Sequence, residues 1–125
     1  MIAVDTSTWI AFLEGASSVN TNLPDSALQD RQVVMVPPVL TEVLSDPGLR
    51  PEIARLLTEI PLVEIEPGFW RRAGKLRAVV LGRHRKARLG DALIAQLCLE
   101  RGMPVLTRDK NFRAFVEAAG LKLVI

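Results

Sequence analysis

Four acidic residues in this 125-residue sequence lie just after predicted strands or near the starts of predicted helices. Asp5 follows a short apolar run directly, and Asp109 comes just after another. Asp91 stands at the predicted start of a helix, and Glu42 lies about one turn into another helix. In a parallel α/β sheet, functional residues gather beyond the carboxyl ends of the strands. These four carboxylates are therefore expected to face the same edge of one sheet.

Carboxylates gathered at one edge repel each other, and a bound cation relieves that repulsion. Oxygen ligands of this kind select Mg²⁺, with Mn²⁺ as a substitute, over zinc. Such an ion can orient a phosphate group, activate a water and stabilise a leaving oxygen. The pattern therefore indicates metal-assisted phosphoryl chemistry. Taken singly, each acid has a structural alternative as a helix cap or a solvated helix residue.

The elements that must position these acids are short strands alternating with helices. The predicted strands span residues 2–4, 33–36, 62–65, 105–106 and 121–125. Between them, apolar residues recur at helical spacing, most clearly at Phe69, Ala73, Leu76 and Val80. We expect a single α/β domain over residues 1–125, a sandwich with a mainly parallel central sheet of about five strands flanked by helices.

Three segments of the sequence resemble the PIN-domain family. The opening VDTSTWIAFLEG is similar to the family's first strand, acid and helix, and PPVLTEVL resembles the segment that supplies its glutamate. The stretch GDALIAQLCLERGMPVLTRDKNF resembles the family's most recognisable part. The order and spacing hold from residue 2 to about residue 115. Length and single-domain form are similar to the VapC-type toxins of toxin–antitoxin pairs.

The resemblance implies a role for each matching position. The implied metal ligands are Asp5, Asp91 and Asp109. Glu42 becomes the fourth catalytic carboxylate, touching the metal or holding a metal-bound water. Thr6 and Thr107 match supporting positions beside the site. Asn111 stands where many relatives carry a further acid, so a fifth carboxylate ligand is not expected here.

The function implied by the resemblance is metal-dependent hydrolysis of RNA by an endoribonuclease, leaving 5′-phosphate and 3′-hydroxyl ends. The implied partners are an RNA substrate, a cognate antitoxin protein and a second copy of the chain in a homodimer. An antitoxin would lay a segment over the site and place a basic side chain among the carboxylates. The alternative is a PIN-like module that binds RNA or protein without cutting.

Other hydrolytic mechanisms lack their residues in this sequence. His84 is the only histidine, so a histidine pair that forms a cyclic phosphate is impossible within one chain. The G-x-S-x-G elbow of serine hydrolases and the G-x-x-x-x-G-K-[ST] phosphate loop are both absent. A dehalogenase-like phosphatase needs an acid two residues after its nucleophile, and Ser7 occupies that position after Asp5.

The positive charge of the chain is unevenly distributed. Residues 67–90 contain no Asp or Glu but hold half of the 16 Lys and Arg residues, which favours contact with a polyanion. A solvated helix face followed by a basic loop is the alternative. The residues expected to guide RNA toward the metal are Arg83, Arg85, Lys86, Arg88 and Arg108. Aromatic residues make up 5% of the chain, so extensive base stacking is not expected.

The remaining features bear on the compartment. Cys98 is the only cysteine, so no intrachain disulfide can form, and a reducing cytoplasm is the expected location. No apolar run approaches the roughly 20 residues that a membrane span requires. The opening MIAVDTSTW lacks the pattern of a secretory signal and is expected to begin the fold.

Overall fold

The computed structural model describes residues 1–15 and 30–124. Strands and helices alternate along the described chain, except that four helices in succession separate the second strand from the third, where the sequence predicts a further strand. The strands are β1 (Ile2–Val4), β2 (Val33–Val34), β3 (Val105–Leu106) and β4 (Leu123–Val124). The helices are α1 (Thr6–Leu13), α2 (Pro37–Leu44), α3 (Pro51–Thr58), α4 (Phe69–Gly82), α5 (Leu89–Arg101) and α6 (Arg113–Ala119), with a 3₁₀ turn at Lys110–Phe112.

The strands form a parallel sheet in the order β2-β1-β3-β4. In β1, Ala3 pairs with Val34 of β2 on one side and with Val105 of β3 on the other. Val105 in turn pairs with Leu123, which places β4 at an edge. All strand ends that carry candidate acids therefore point to the same end of the sheet. The predicted α/β class and parallel sheet are confirmed.

The prediction of about five strands is wrong by one within the described chain, because residues 62–65 do not form a strand. They make an isolated parallel bridge between Leu62 and Met35. Val63 is buried, whereas Leu62 and Ile65 are exposed, so one side chain alone anchors the segment to the core. Pro61 supplies a carbonyl to this bridge but has no N–H to extend the pairing.

The helices begin and end at residues that suit those positions. Prolines occupy the first turns of α2 and α3, where a missing N–H costs nothing. The predicted stripe on α4 is fully buried, with Phe69 and Val80 at 0% exposure. Helices α5 and α6 end at Gly102 and Gly120, which both have positive φ and close the last helical turns.

The core is one cluster of buried apolar side chains from strands and helices. Its largest fully buried side chains are Trp9, Phe69, Phe112, Phe115 and Met35. Helices α4 and α5 make the most extensive helix pair and are joined by a two-bond ion pair between Arg72 and Glu100. Among the described helices, none combines the length and apolar character needed to cross a bilayer.

Candidate active site

Asp5 occupies the end of the central strand and the start of α1. Its carboxylate is only 3% exposed. Oδ1 accepts a hydrogen bond from the Thr8 backbone N–H at 3.0 Å, which caps the helix. The Ser7 hydroxyl lies 3.1 Å from both carboxylate oxygens, and the Thr107 hydroxyl donates to Oδ2 at 2.6 Å. These donors stabilise a buried negative charge and hold the carboxylate in one orientation.

Asp109 is linked to Asp5 through Thr107, which is the first residue after β3. The Asp109 backbone N–H donates to the Thr107 hydroxyl oxygen at 2.9 Å, and that hydroxyl donates onward to Asp5. The Asp109 carboxylate accepts from the Asn111 N–H at 2.9 Å and begins the 3₁₀ turn. Each residue in this chain therefore fixes the next, across two neighbouring strands.

Glu42 reaches the site from α2, where its side chain is exposed. Its Oε1 accepts a hydrogen bond from the Thr6 hydroxyl at 3.0 Å. It also lies close to the first turn of α5, because a Cβ built on Gly90 would be 3.3 Å from the same oxygen. The absence of a side chain at Gly90 therefore allows Glu42 to approach the residue next to Asp91.

Asp91 lies in the first turn of α5 and is partly buried. Its Oδ2 is buried without a hydrogen-bond partner in the described part of the chain. The pKa of this carboxyl is raised to about 6, first by burial and then by the charge of Asp109, while Arg88 opposes the shift. Asp5 and Glu42 act in the same direction as Asp109. The other three acids are thus close enough to Asp91 to disfavour its ionised form.

The donor chemistry of this cluster suits a hard divalent cation. It contains carboxylates and hydroxyls but neither histidine nor cysteine, a set that favours Mg²⁺ or Mn²⁺. The buried, unpartnered oxygen of Asp91 is a group that a cation would satisfy. Within residues 1–15 and 30–124, no three His, Cys, Asp or Glu side chains stand close enough to hold an ion directly among them. Water molecules between ion and carboxylates are compatible with that spacing, since Mg²⁺ keeps several of its waters.

The five cations expected to contact RNA are dispersed in the structure. Arg83 donates to the backbone carbonyl of Glu117 on α6, and Arg85 forms an ion pair with the Glu117 carboxylate. Lys86 is exposed in the loop before α5. The charge of Arg88 acts on Asp91, and Arg108 lines a groove together with Asp109. The structure thus places Arg88 and Arg108 beside the carboxylates. Arg83 and Arg85 instead bind Glu117 of α6.

Two residues of the site were not identified from the sequence. Ser7 binds Asp5 from within the first turn of α1, and its signal was a hydroxyl two residues after an acid at a helix start. Gly90 makes room for Glu42, and its signal was a glycine inside a helix, where this residue is unfavourable. Both roles depend on contacts that sequence spacing alone does not specify.

The other reactive residues lie apart from this chemistry. His84 is exposed after the end of α4, in a left-handed backbone conformation with φ of 59°. Cys98 is buried, and burial raises the pKa of its thiol to about 12. The thiol is therefore protonated and unreactive at neutral pH.

A parallel sheet with two acids after its strands, and two more brought beside them by helices, defines a particular class of small α/β protein. The family model of the PIN domain matches residues 2–118. The chain therefore belongs to the PIN-domain family. This result confirms the resemblance noted in the three sequence segments.

Two curated relatives match at the level of sequence. Ribonuclease VapC11 of Mycobacterium tuberculosis is 25% identical over 129 residues, covering 98% of this chain and 96% of the relative. The VapC ribonuclease Mb1587 of Mycobacterium bovis matches with the same identity and coverage. Both are similar to this chain over nearly their full length.

Solved structures show the same fold. VapBC2 from Rickettsia felis, bound to a DNA fragment from its promoter, superposes with a TM-score of 0.76 at 15% identity, covering 99% of this chain and 98% of the other. VapBC-5, a toxin–antitoxin system from Mycobacterium tuberculosis, gives 0.70 at 21% identity with 98% and 96% coverage. FitAcB from Neisseria gonorrhoeae gives 0.67 at 18% identity with 99% and 97% coverage.

Proposed function

We propose that this protein is a metal-dependent endoribonuclease and the toxin of a toxin–antitoxin pair. The curated relatives are named ribonucleases, and the solved neighbours include toxin–antitoxin complexes. The observation that carries the proposal is the convergence of four carboxylates, one with a buried oxygen that lacks a partner. A fold without catalytic chemistry would gain nothing from placing these charges together.

The proposed cofactor is Mg²⁺, with Mn²⁺ as a substitute, held by Asp5, Asp91 and Asp109. Asp5 already accepts three donors, but a carboxylate has about four lone-pair positions, so one remains for a cation or its water. When bound, the ion supplies positive charge to the phosphate and makes a water more acidic. The pKa of Asp91, about 6, keeps this group mostly ionised at neutral pH and available to the ion.

The other residues of the site accept a proton or orient the Asp5 carboxylate. Glu42 is exposed and is positioned by the Thr6 hydroxyl, so it is suited to accept a proton from an attacking water near the scissile phosphate. Thr107 and Ser7 keep the Asp5 carboxylate in one orientation. Because these donors are preorganised, the site requires little rearrangement as charge develops on the phosphate oxygens.

The proposed protein partner is an antitoxin whose basic side chain enters the carboxylate cluster. The excess negative charge that raises the pKa of Asp91 would be relieved by such a cation as well as by a metal ion. Binding of an antitoxin and of metal would therefore compete. We also propose a homodimer and a cytoplasmic location, on the family resemblance and the single cysteine.

The test is cleavage of a mixed RNA pool by the purified, antitoxin-free protein. We expect cutting with Mg²⁺ or Mn²⁺, none with EDTA, and none from Asp5→Asn or Asp91→Asn. Glu59→Gln, at an exposed position outside the site, serves as the matched control and should cut normally. Mapping the ends should give 5′-phosphates and 3′-hydroxyls.

Other outcomes would contradict the proposal. Cutting that survives EDTA, or that is unchanged in both acid variants, would exclude the carboxylate mechanism. Metal binding and RNA binding without cutting of any RNA, including total cellular RNA, would favour the non-cutting module instead.

A further inference from the structure

A groove leads from the carboxylate cluster to the β4 edge of the sheet. Its volume is about 230 Å³. It is lined by Thr107, Arg108, Asp109, Lys110, Arg113, Leu123 and Val124. Thr107 and Asp109 belong to the candidate active site, so the groove is continuous with that site and forms its exit on this side.

One wall of the groove carries positive charge that the protein does not neutralise. Arg108, Lys110 and Arg113 are all exposed, and none forms an ion pair within the described part of the chain. By contrast, Arg72 and Arg85 are each paired with a glutamate. The groove's three cations outnumber its single acid, so an anionic ligand is favoured there.

The part of the lining that β4 contributes is apolar. Leu123 and Val124 are partly exposed on β4, which has no neighbouring strand on its outer side among the described residues. A groove that combines cations with aliphatic side chains suits a ribose-phosphate chain, because the cations attract the phosphates and the aliphatic side chains can pack against the C–H edges of the sugars. Inorganic phosphate alone would use only the cationic wall.

We propose that the phosphates of RNA next to the scissile one bind in this groove, with Arg113 as a substrate-binding residue alongside Arg108 and Lys110. This inference rests on the proposed ribonuclease function and adds the path of the substrate. It moves the main phosphate contacts away from the loop at residues 83–88. Arg83 and Arg85 of that loop are already bound to Glu117, and releasing them would carry a cost.

The experiment measures the salt dependence of RNA binding. A fluorescein-labelled single-stranded RNA of mixed sequence is titrated with protein in Mg²⁺ at a series of KCl concentrations, in the Asp91→Asn background so that the RNA stays intact. Each phosphate contact with single-stranded RNA contributes about 0.7 to the slope of log K against log salt. We expect Arg113→Gln to reduce the slope by about 0.7, and the triple Gln variant at positions 108, 110 and 113 to reduce it by about 2.

The matched control is Arg55→Gln, which removes an exposed cation from α3, a helix that contributes no residue to the groove. Its slope should equal that of the parent. In the cutting-competent protein, Arg113→Gln should raise KM and leave kcat within about twofold, because it removes binding energy that does not depend on the transition state. Circular dichroism melts verify that each variant is folded.

The outcomes distinguish a failure of the groove proposal from a failure of the proposed ribonuclease function. If the parent binds RNA and the groove variants keep its slope, the groove proposal is wrong and the ribonuclease proposal stands. If the parent binds no RNA at all, both are wrong. If the groove variants lose binding to poly-L-glutamate but keep the RNA slope, the groove takes an acidic polypeptide, and the proposal is overturned in favour of a protein partner.

Discussion

Replacing Asp91 with asparagine should stabilise the metal-free protein at neutral pH while abolishing activity. In the folded chain this carboxyl has a pKa of about 6 against an ordinary value of 3.8, chiefly because it is buried and close to Asp109. A difference of about two units corresponds to about 3 kcal/mol against folding when the group is ionised. The side chain is partly exposed, and solvent screening lowers that figure, so we expect a gain of about 1–3 kcal/mol.

The gain in stability from Asp91→Asn must depend on pH in a defined way. Below about pH 4, Asp91 is protonated in both folded and unfolded chains, and its charge has no effect on stability. Between about pH 4 and 6 the unfolded chain loses this proton while the folded chain keeps it, so the wild-type protein loses stability as the pH rises. Asparagine does not titrate. The difference in the free energy of unfolding between variant and wild type should therefore grow from about pH 4 to pH 6 and stay constant above that range.

The assay is urea denaturation in EDTA across this pH range, with Glu59→Gln as an exposed control that should show little change. A variant that is less stable than wild type at neutral pH would refute the reasoning, and so would a gain that is the same at pH 4 and pH 8. Adding Mg²⁺ at 100 times its Kd should then stabilise the wild type by about 2.7 kcal/mol and the variant by less.

Three further substitutions test individual contacts. Thr107→Val removes the hydroxyl that donates to Asp5 at 2.6 Å. It should lower the free energy of unfolding by about 1–3 kcal/mol and the rate of cleavage by about 10-fold to 100-fold. An unchanged thermal melt would contradict this. Gly90→Ala places a Cβ 3.3 Å from Glu42 Oε1; we expect reduced cleavage without loss of stability, measured as kcat beside a thermal melt. His84→Gly relieves a φ of 59° and should raise stability by roughly 0.5–1 kcal/mol with cleavage unchanged, whereas a destabilised variant would show that the imidazole makes a needed contact.

Local patterns in the sequence predicted the elements well where burial has a regular period. The α4 stripe at Phe69, Ala73, Leu76 and Val80 is buried because helical spacing places these residues on one face. The same reasoning failed at residues 62–65, where an apolar run follows Pro61. An apolar run forms a strand only if a neighbouring strand offers it a continuous row of backbone partners, and here the pairing is limited to the bridge between Leu62 and Met35. The sequence does not report how much neighbouring backbone is available.

The position of the site could be predicted, but its internal contacts could not. The strand-end rule brings Asp5 and Asp109 to one edge without any knowledge of side chains. The hydrogen bond between Thr107 and Asp5 joins residues 102 positions apart, and it depends on β3 lying directly beside β1. The pairing of Arg85 with Glu117 joins residues 32 positions apart, and it likewise depends on the fold and could not be predicted from the sequence.

Asp5 serves two purposes with the same atoms, and this has an evolutionary consequence. Its Oδ1 caps α1 while the carboxylate also belongs to the proposed catalytic cluster, so a change at this position harms folding as well as activity. Asp91 is the opposite case, since its charge opposes folding. In lineages where such a domain is retained after selection for cutting has ceased, we expect the acid at position 91 to drift first and the acid at position 5 to persist. An intact first acid is therefore poor evidence that a descendant still cuts.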